Sequence, residues 1–294
     1  MRRILLIVNV LIIIPIISFS QTKHEIKRFQ LSDRMHKIEI GSVNMLVFVE
    51  DDYLILSDCG YKDTGTQIDS VLNEISPNPV KYIINTHWHN DHSGGNLYFL
   101  DATVIAHEDT KKLLSQDIIS EFWKNECPAF PEYALPNITF SSKLTYRFDN
   151  EEIEMVYYPG GHTQGDIVVY FKNSNVVHLG DLLFSNGFPA IDFEQGATVK
   201  QYIANLQKII EWMPENAVII AGHGPDINLE QLKDYKNTIS ETYSIVKKQI
   251  DSKLTLEQIQ KKDVLAQYYE WEHGYFTRQE WVEIIYKSLK YKTK

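Results

Sequence analysis

Seven side chains of metal-binding type fall at four points along this 294-residue chain. His87, His89, Asp91 and His92 stand in THWHNDH, His162 in GGHT, Asp181 in HLGD and His223 in AGHG. Residues two apart on an extended backbone face the same side, so His87 and His89 can grip one cation while Trp88 points away. A third neutral imidazole from His162 completes a tris-histidine site with an open fourth position, the arrangement that lets zinc hold a reactive water. The turn implied by Asn90-Asp91 and the later Gly94-Gly95 swings Asp91 and His92 toward a second cation, and His223 finishes that second site. Two cations roughly 3.5 to 4 Å apart need a bridging carboxylate, for which Asp181 is available. Zinc lowers the pKa of its water to about 7, so hydroxide exists at neutral pH without a strong base. A carbonyl held between the ions would be polarised, Asp91 would orient the nucleophile and move its proton, and the second ion would stabilise the leaving group. That chemistry is hydrolysis of an amide, ester or thioester of a small molecule. Two zinc ions are the expected cofactors, with iron or manganese also compatible with these donors.

Positioning these groups requires rigid elements that end where the ligands begin. Three short strands are expected at 36–40, 44–50 and 53–58, the last two separated by Asp51-Asp52. A helix capped by Thr64 or Thr66 follows, with Ile68, Val71, Leu72 and Ile75 at helical spacing, ending before Pro77 and Pro79. The apolar run 80–85 then stops abruptly at the first histidine cluster. A strand at 103–106, helical segments over 107–126, and strands at 144–148 and 153–158 come next. The run 167–171 and 175–179 reads as a hairpin, 199–213 as an amphipathic helix, 217–221 as a buried strand and 228–248 as a long helix. The remainder is helical and polar, with Trp271, Tyr275, Phe276 and Trp281 available to dock it. Each ligand group therefore follows a strand, and loops at strand ends are where sheets present functional side chains.

Residues 1–20 combine a basic MRR start, an apolar stretch at 4–17 and small residues Ser18 and Ser20. They are set aside as an export signal with cleavage after Ser20, which predicts a periplasmic mature chain with no stable membrane insertion. The remaining 21–294 form one domain, because no linker or repeat divides them; oligomeric state is left open. The formal charge of -10 and the lack of a basic stripe argue against nucleic acid as a partner. Two cysteines, Cys59 and Cys127, are too few for a disulfide framework, and unpaired thiols are expected. His107 is assigned a cap or packing role, His178 a place in the core, and His24, His36 and His273 the surface. Asp166 either orients a ligand or opens the next strand. Phe122, Trp123, Phe130, Tyr133, Phe184 and Phe188 line a pocket or pack internally.

At these residues the chain resembles the metallo-β-lactamase superfamily, whose H-x-H-x-D-H signature stands here as HWHNDH at 87–92. GGHT with His162, HLGD with Asp181 and AGHGP with His223 match its later landmarks, and Asp58-Cys59-Gly60 its early one. The resemblance covers roughly 35–225 and leaves about 226–294 as a C-terminal helical extension. It implies an α/β fold, a four-layer αββα sandwich with the metals at the sheet edge, and a supporting role for Asp58. One β-lactamase subclass has Cys where this chain has Asp181, and a substrate-binding Lys where it has Phe184. The ligand set is closer to that of the glyoxalase II branch, although that branch's basic substrate-binding patch is not evident here. β-Lactam cleavage by the exported hydrolase stays open as one of its activities, and two other readings stay open beside it: a mononuclear-iron persulfide dioxygenase of the same fold, and a non-catalytic metal-binding protein.

Overall fold

The computed structural model describes residues 24–291, so the expected export signal at 1–20 lies outside the described residues. The chain begins with strands β1 (Ile26–Gln30), β2 (Met35–Ile40), β3 (Val43–Val49) and β4 (Leu54–Ser57), then helix α1 (Gly65–Ile75) and β5 (Val80–Ile84). A one-turn helix α2 (Asn90–Ser93) precedes β6 (Thr103–His107), α3 (Glu108–Leu114), β7 (Ile118–Ser120), β8 (Asn125–Cys127) and β9 (Ile138–Phe140). The second half contains β10 (Lys143–Arg147), β11 (Glu152–Tyr157), β12 (Ile167–Phe171), β13 (Val176–His178), α4 (Val199–Trp212) and β14 (Val218–Ile220). Helices α5 (Leu229–Asp251), α6 (Leu256–Lys261) and α7 (Arg278–Lys290) end it.

Two large sheets result, one in the order β1-β2-β3-β4-β5-β6-β9 and one in the order β10-β11-β12-β13-β14, while β7 and β8 pair in a separate two-stranded ribbon. Each is antiparallel at its start and becomes parallel where helices intervene, at β4–β5 and at β13–β14. Their inner faces meet through Leu46, Phe48, Ile55, Ile84 and Ile105 on one side and Ile153, Met155, Val169, Phe171 and Ile220 on the other. The outer face of the first sheet (Ile38, Met45, Leu56, Ile83) is covered by Ile68 and Leu72 of α1. That of the second (Val168, Val177, Ile219) is covered by Tyr202 and Leu206 of α4, Ile239 of α5 and Trp281 of α7. The four layers are therefore the expected αββα sandwich with added C-terminal helices. Each fully buried aliphatic or aromatic side chain contributes roughly 1.5–3 kcal/mol toward holding the layers together. No helix among the described residues is long and apolar enough to cross a membrane.

Several expectations need correction. The helical stretch expected over 107–126 ends at Leu114, and the chain turns into the β7–β8 hairpin. Ile118 and Ser120 are buried while Ile119 is exposed, a period-two pattern that wins over the helical spacing of the preceding leucines. His36, expected at the surface, is buried, because β2 is flanked by β1 and β3 and almost every one of its residues is covered. His24 is half-buried, stacked on Tyr61 with ring centroids 4.6 Å apart. Strands β1 and β9 were not anticipated. The helix expected from 228 is found with Asn228 as its cap, the side chain accepting from Gln231 N and the Gln231 side chain answering it.

Candidate metal centre

Asp58 follows β4, His87 follows β5, Asp181 follows β13 and His223 follows β14, so the C-terminal ends of parallel strands from both sheets open at one edge. His162 arrives in the loop between β11 and β12. That loop is fastened by the buried Asp166 carboxylate, which accepts from His162 N (2.8 Å) and Thr163 N (2.9 Å). Of the two roles considered for Asp166, the contacts are those of an orienting residue. The seam between sheets is stitched beside the site, where Asn44 N donates to Gly222 O at 2.8 Å.

All seven candidate residues come together. One ligand atom from each of His87, His89, His162 and Asp181 lies within 4.8 Å of the others, and the same holds for Asp91, His92 and His223. The rings of His87, His89 and His162 are 4.6–4.9 Å apart and nearly perpendicular to one another (81°, 85° and 87°). Asp181 sits between the two groups, 3.2 Å from His162 Nε2, 3.1 Å from His92 Nε2 and 3.3 Å from His223 Nε2.

The outward nitrogen of each imidazole faces an oxygen. His87 Nδ1 donates to Thr86 Oγ1 (3.0 Å), His92 Nδ1 to Asp58 Oδ2 (2.8 Å) and His162 Nδ1 to Ala190 O (2.8 Å). His223 Nδ1 donates to Ser42 O (3.0 Å), and His89 Nε2 lies 3.5 Å from Asp192 Oδ2. These partners fix each outward nitrogen as the N–H, so in the neutral ring it is the inward nitrogen that carries the lone pair. The lone pairs point at one another: His162 Nε2 and His89 Nδ1 are 2.9 Å apart, and His92 Nε2 and His223 Nε2 are 3.3 Å apart. Nε2 of His87 and Oδ1 of Asp181 are buried with no hydrogen-bond partner. Inward imidazole nitrogens facing each other beside unpartnered carboxylate oxygen suit only protons or cations between them, and the donor set of imidazole plus carboxylate fits a pair of divalent metals.

The electrostatics differ between the halves. Burial pushes the His162 imidazole down to about 4 and His87 well below its usual value, whereas for His89 burial is outweighed by Asp192, Asp91 and Asp181, which raise it. Burial would also lower His92 and His223, but the surrounding carboxylates win. Asp181, Asp91 and Asp58 hold His92 well above the usual value, and Asp181 with Asp91 raises His223 to about 9. Asp181 itself is lifted by burial yet held well below the ordinary carboxylate range by His223, His92 and His162.

His107 and His178 stand apart from this cluster. His107 caps α3 by accepting from Asp109 N and stacks on Tyr157 at 3.5 Å. His178 lies in the core with Nδ1 bonded to Ser57 Oγ at 2.8 Å. His273 is exposed. Cys59 and Cys127 are unpaired. Cys59 turns to Asn96 Oδ1 (3.2 Å) and its thiol is pushed up by burial, which leaves it a packing residue. Phe184 stacks on His223 at 4.9 Å, and Phe188 is buried against Trp281. Phe122 and Trp123 pack against the core under the second sheet. Phe130 and Tyr133 line a cavity of about 510 Å³ together with Trp88, Asn90 and Lys62. Four further residues support the site without having been expected there: Thr86, Asp192, Ser42 and Tyr275, the last expected only to dock the C-terminal helices; its phenol oxygen is 2.7 Å from His223 Nδ1. None sits at a spacing that would mark it.

The αββα sandwich carries its paired imidazole and carboxylate clusters at the sheet edge, which is the arrangement the HWHNDH resemblance implies. The chain belongs to the metallo-beta-lactamase superfamily, whose family model matches residues 38–223. A hydroxyacylglutathione hydrolase of Pelagibacter ubique is 33% identical over 144 residues, 49% of this chain and 52% of that relative, so the match spans about half of the relative's length. An uncharacterized protein of Aquifex aeolicus is 27% identical over 174 residues, covering 58% of this chain and 80% of that one. Among solved structures, a metallo-beta-lactamase from Pontibacter korlensis superposes with a TM-score of 0.59 at 20% identity, covering 74% of this chain and 99% of that chain. At that identity the superposition speaks for the fold alone.

Proposed function

We propose that the chain is an exported two-cation hydrolase acting on a small ester or thioester. His87, His89 and His162 would hold one ion, Asp91, His92 and His223 the other, and Asp181 both. The observation that carries this reading is the tautomer arrangement: outward nitrogens bonded to oxygens, inward lone pairs converging on two points. When bound, such a pair of cations supplies an ionised water near neutral pH and polarises a carbonyl. The residues do the rest. Asp91 is partly exposed, and its Oδ2 lies 3.6 Å from His92 Nε2 and 3.4 Å from His223 Nε2. It is placed to orient a water, take its proton and return it to the departing oxygen or sulfur. Asp58, Thr86 and Asp192 hold the imidazoles in register.

The preference for ester and thioester over β-lactam rests on two features. Asp181 would serve both ions at the position where one β-lactamase subclass has a thiolate, and Phe184 provides no cation for a substrate carboxylate. The resemblance in part to a hydroxyacylglutathione hydrolase supports the same direction. The cavity beside Trp88 and Asn90, with Phe130 and Tyr133 in its wall, has the size and apolar lining to take an acyl group. Export rests on the basic start and apolar stretch at the N-terminus.

A panel of thioesters, esters, lactones and nitrocefin, presented to the chain reconstituted with two equivalents of zinc, tests the proposal. Turnover of a thioester or ester above nitrocefin is expected. A di-zinc chain that opens none of them would sink the hydrolytic reading. One iron per chain with oxygen consumption on a persulfide would replace it.

A further inference from the structure

We propose that the C-terminal helical segment completes the second cation site, with Tyr275 as a positioning residue that holds His223, together with Ser42, in its ligating orientation. This rests on the two-cation reading above. The family match ends at residue 223, and Tyr275 is brought back from far outside it.

Its delivery is built on both sides. Trp271 stacks on Tyr235 of α5 (5.5 Å, 25°) and lies 5.7 Å from Phe188. The backbone at 271–274 then runs hard against Asn186-Gly187: a Cβ at Gly187 would meet Trp271 O at 2.8 Å and Gly274 N at 3.1 Å, so only glycine permits the approach. Just beyond, Thr277 and Glu280 form the capping box of α7, whose Trp281 is fully buried and stacked on Phe188 (5.5 Å, 12°). Tyr275 is therefore held between two anchored points, although its ring is itself partly exposed.

The phenol oxygen lies 2.7 Å from His223 Nδ1 and is also hydrogen-bonded to Ser42 Oγ. The Tyr275 ring meets the imidazole edge-on (4.8 Å, 77°), while Phe184 lies flat on it (4.9 Å, 18°). Nδ1 faces the Ser42 carbonyl, which can only accept, so Nδ1 must carry a proton. It shares that proton between Ser42 O at 3.0 Å and the Tyr275 oxygen, and the phenol's own hydrogen goes to Ser42 Oγ. A packing aromatic would need only the ring. Here the hydroxyl completes a closed set of bonds around a ligand imidazole, and removing such a partner from a metal-bound histidine typically weakens the metal 10- to 100-fold.

The test is stepwise titration of the metal-free full-length chain with zinc against a chromophoric chelator, for wild type, Tyr275→Phe and Ser42→Ala, with cobalt spectra recorded in parallel. Tyr275→Phe keeps the ring and is expected to raise the second dissociation constant about tenfold, leave the first within twofold and alter the cobalt absorption of the second site. Ser42→Ala keeps the backbone carbonyl and is expected to shift the second step in the same direction by less. It serves as the readout if Tyr275→Phe does not fold. Two unchanged steps in the variants, or equal weakening of both steps with a lowered melting temperature of the metal-free chain, would overturn this role for Tyr275 while leaving two-cation binding intact. A wild-type chain that takes up one ion would overturn the two-cation reading and this inference together.

Discussion

Replacing Asp58 by Asn offers a test in which geometry dictates the outcome. Asp58 Oδ1 accepts from Thr86 N at 2.7 Å, and Oδ2 accepts from Thr86 Oγ1 and His92 Nδ1, both at 2.8 Å. A backbone N–H can only donate, so the amide oxygen of the Asp58→Asn variant must stay opposite Thr86 N. The amide NH2 then takes the place of Oδ2. Thr86 Oγ1 can accept from it, but His92 Nδ1 can do so only if the ring proton moves to Nε2, where it blocks ligation. Keeping the ligating tautomer instead sets two N–H groups against each other in a fully buried site and forfeits a charged hydrogen bond worth about 1.5–3 kcal/mol. Either route weakens the Asp91–His92–His223 ion by about 10- to 100-fold. The backbone should be undisturbed, because Asp58 sits at φ 61° and Asn is among the few residues that accept that region. Titrating the metal-free variant against a competing chelator should show a weakened second step, an unchanged first step and a native circular dichroism spectrum. Wild-type affinity at both steps would show that the Asp58 carboxylate does not set the His92 tautomer.

Other changes reach the centre by different routes. Asp91→Asn should preserve fold and metal content near the tris-histidine ion while lowering kcat by roughly 10² to 10⁴, as the loss of a proton-transfer group does; unchanged turnover would remove Asp91 from that role. Gly222→Ala should displace the shared carboxylate, since the added Cβ would meet Asp181 Oδ1 at 2.1 Å and Gly180 C at 2.6 Å. A drop in metal stoichiometry with a loss of about 1–3 kcal/mol in stability is expected, and a variant with two tightly held ions would contradict it. For pH, the metal-free chain holds His223 protonated up to about 9, burial opposing and Asp181 with Asp91 favouring the charge. That raised value gives stability fully present below about pH 6.5, the ordinary histidine range, and lost as pH rises through about 9. Cations must displace the same proton, so affinity at the second site should rise with pH across 6.5–9, by up to about tenfold per unit for each proton displaced. Calorimetry in buffers of different ionisation enthalpy would report the proton release, and its absence would show that His223 is already neutral.

The ligands were legible because their chemistry has a spacing. His87 and His89 share a face of an extended segment, and each later ligand follows an apolar run that stops. The strands carrying them lie within apolar runs that stand out in the sequence, even where the strand itself is three residues long, as in β13 and β14. The supporting residues carry no such mark. Asp192 approaches His89 from an irregular loop, Ser42 sits in the tight turn between β2 and β3, and Tyr275 is placed by contacts between distant backbones. Three-residue strands such as β7, β8 and β9 are likewise shorter than any period can declare. The stretch after Leu114 misled because two leucines and two isoleucines fit a helical stripe, while the burial of Ile118 and Ser120 on one face of a hairpin depends on what covers them. His36 was misplaced for the same kind of reason: nothing in its neighbours says that both sides of its strand are roofed.

The candidate ligands are shared between the two halves of the sandwich. His87, His89, Asp91 and His92 extend from the first sheet, and His162, Asp181 and His223 from the second. Metal occupancy would therefore act as a clasp across the fold's midline as well as a source of reactivity. At a free concentration one hundred times the dissociation constant, each ion would add about 2.7 kcal/mol against any opening that parts the halves. Stripping the ions should thus speed amide hydrogen exchange first along the facing strand ends, well before the helices on the outer flanks respond.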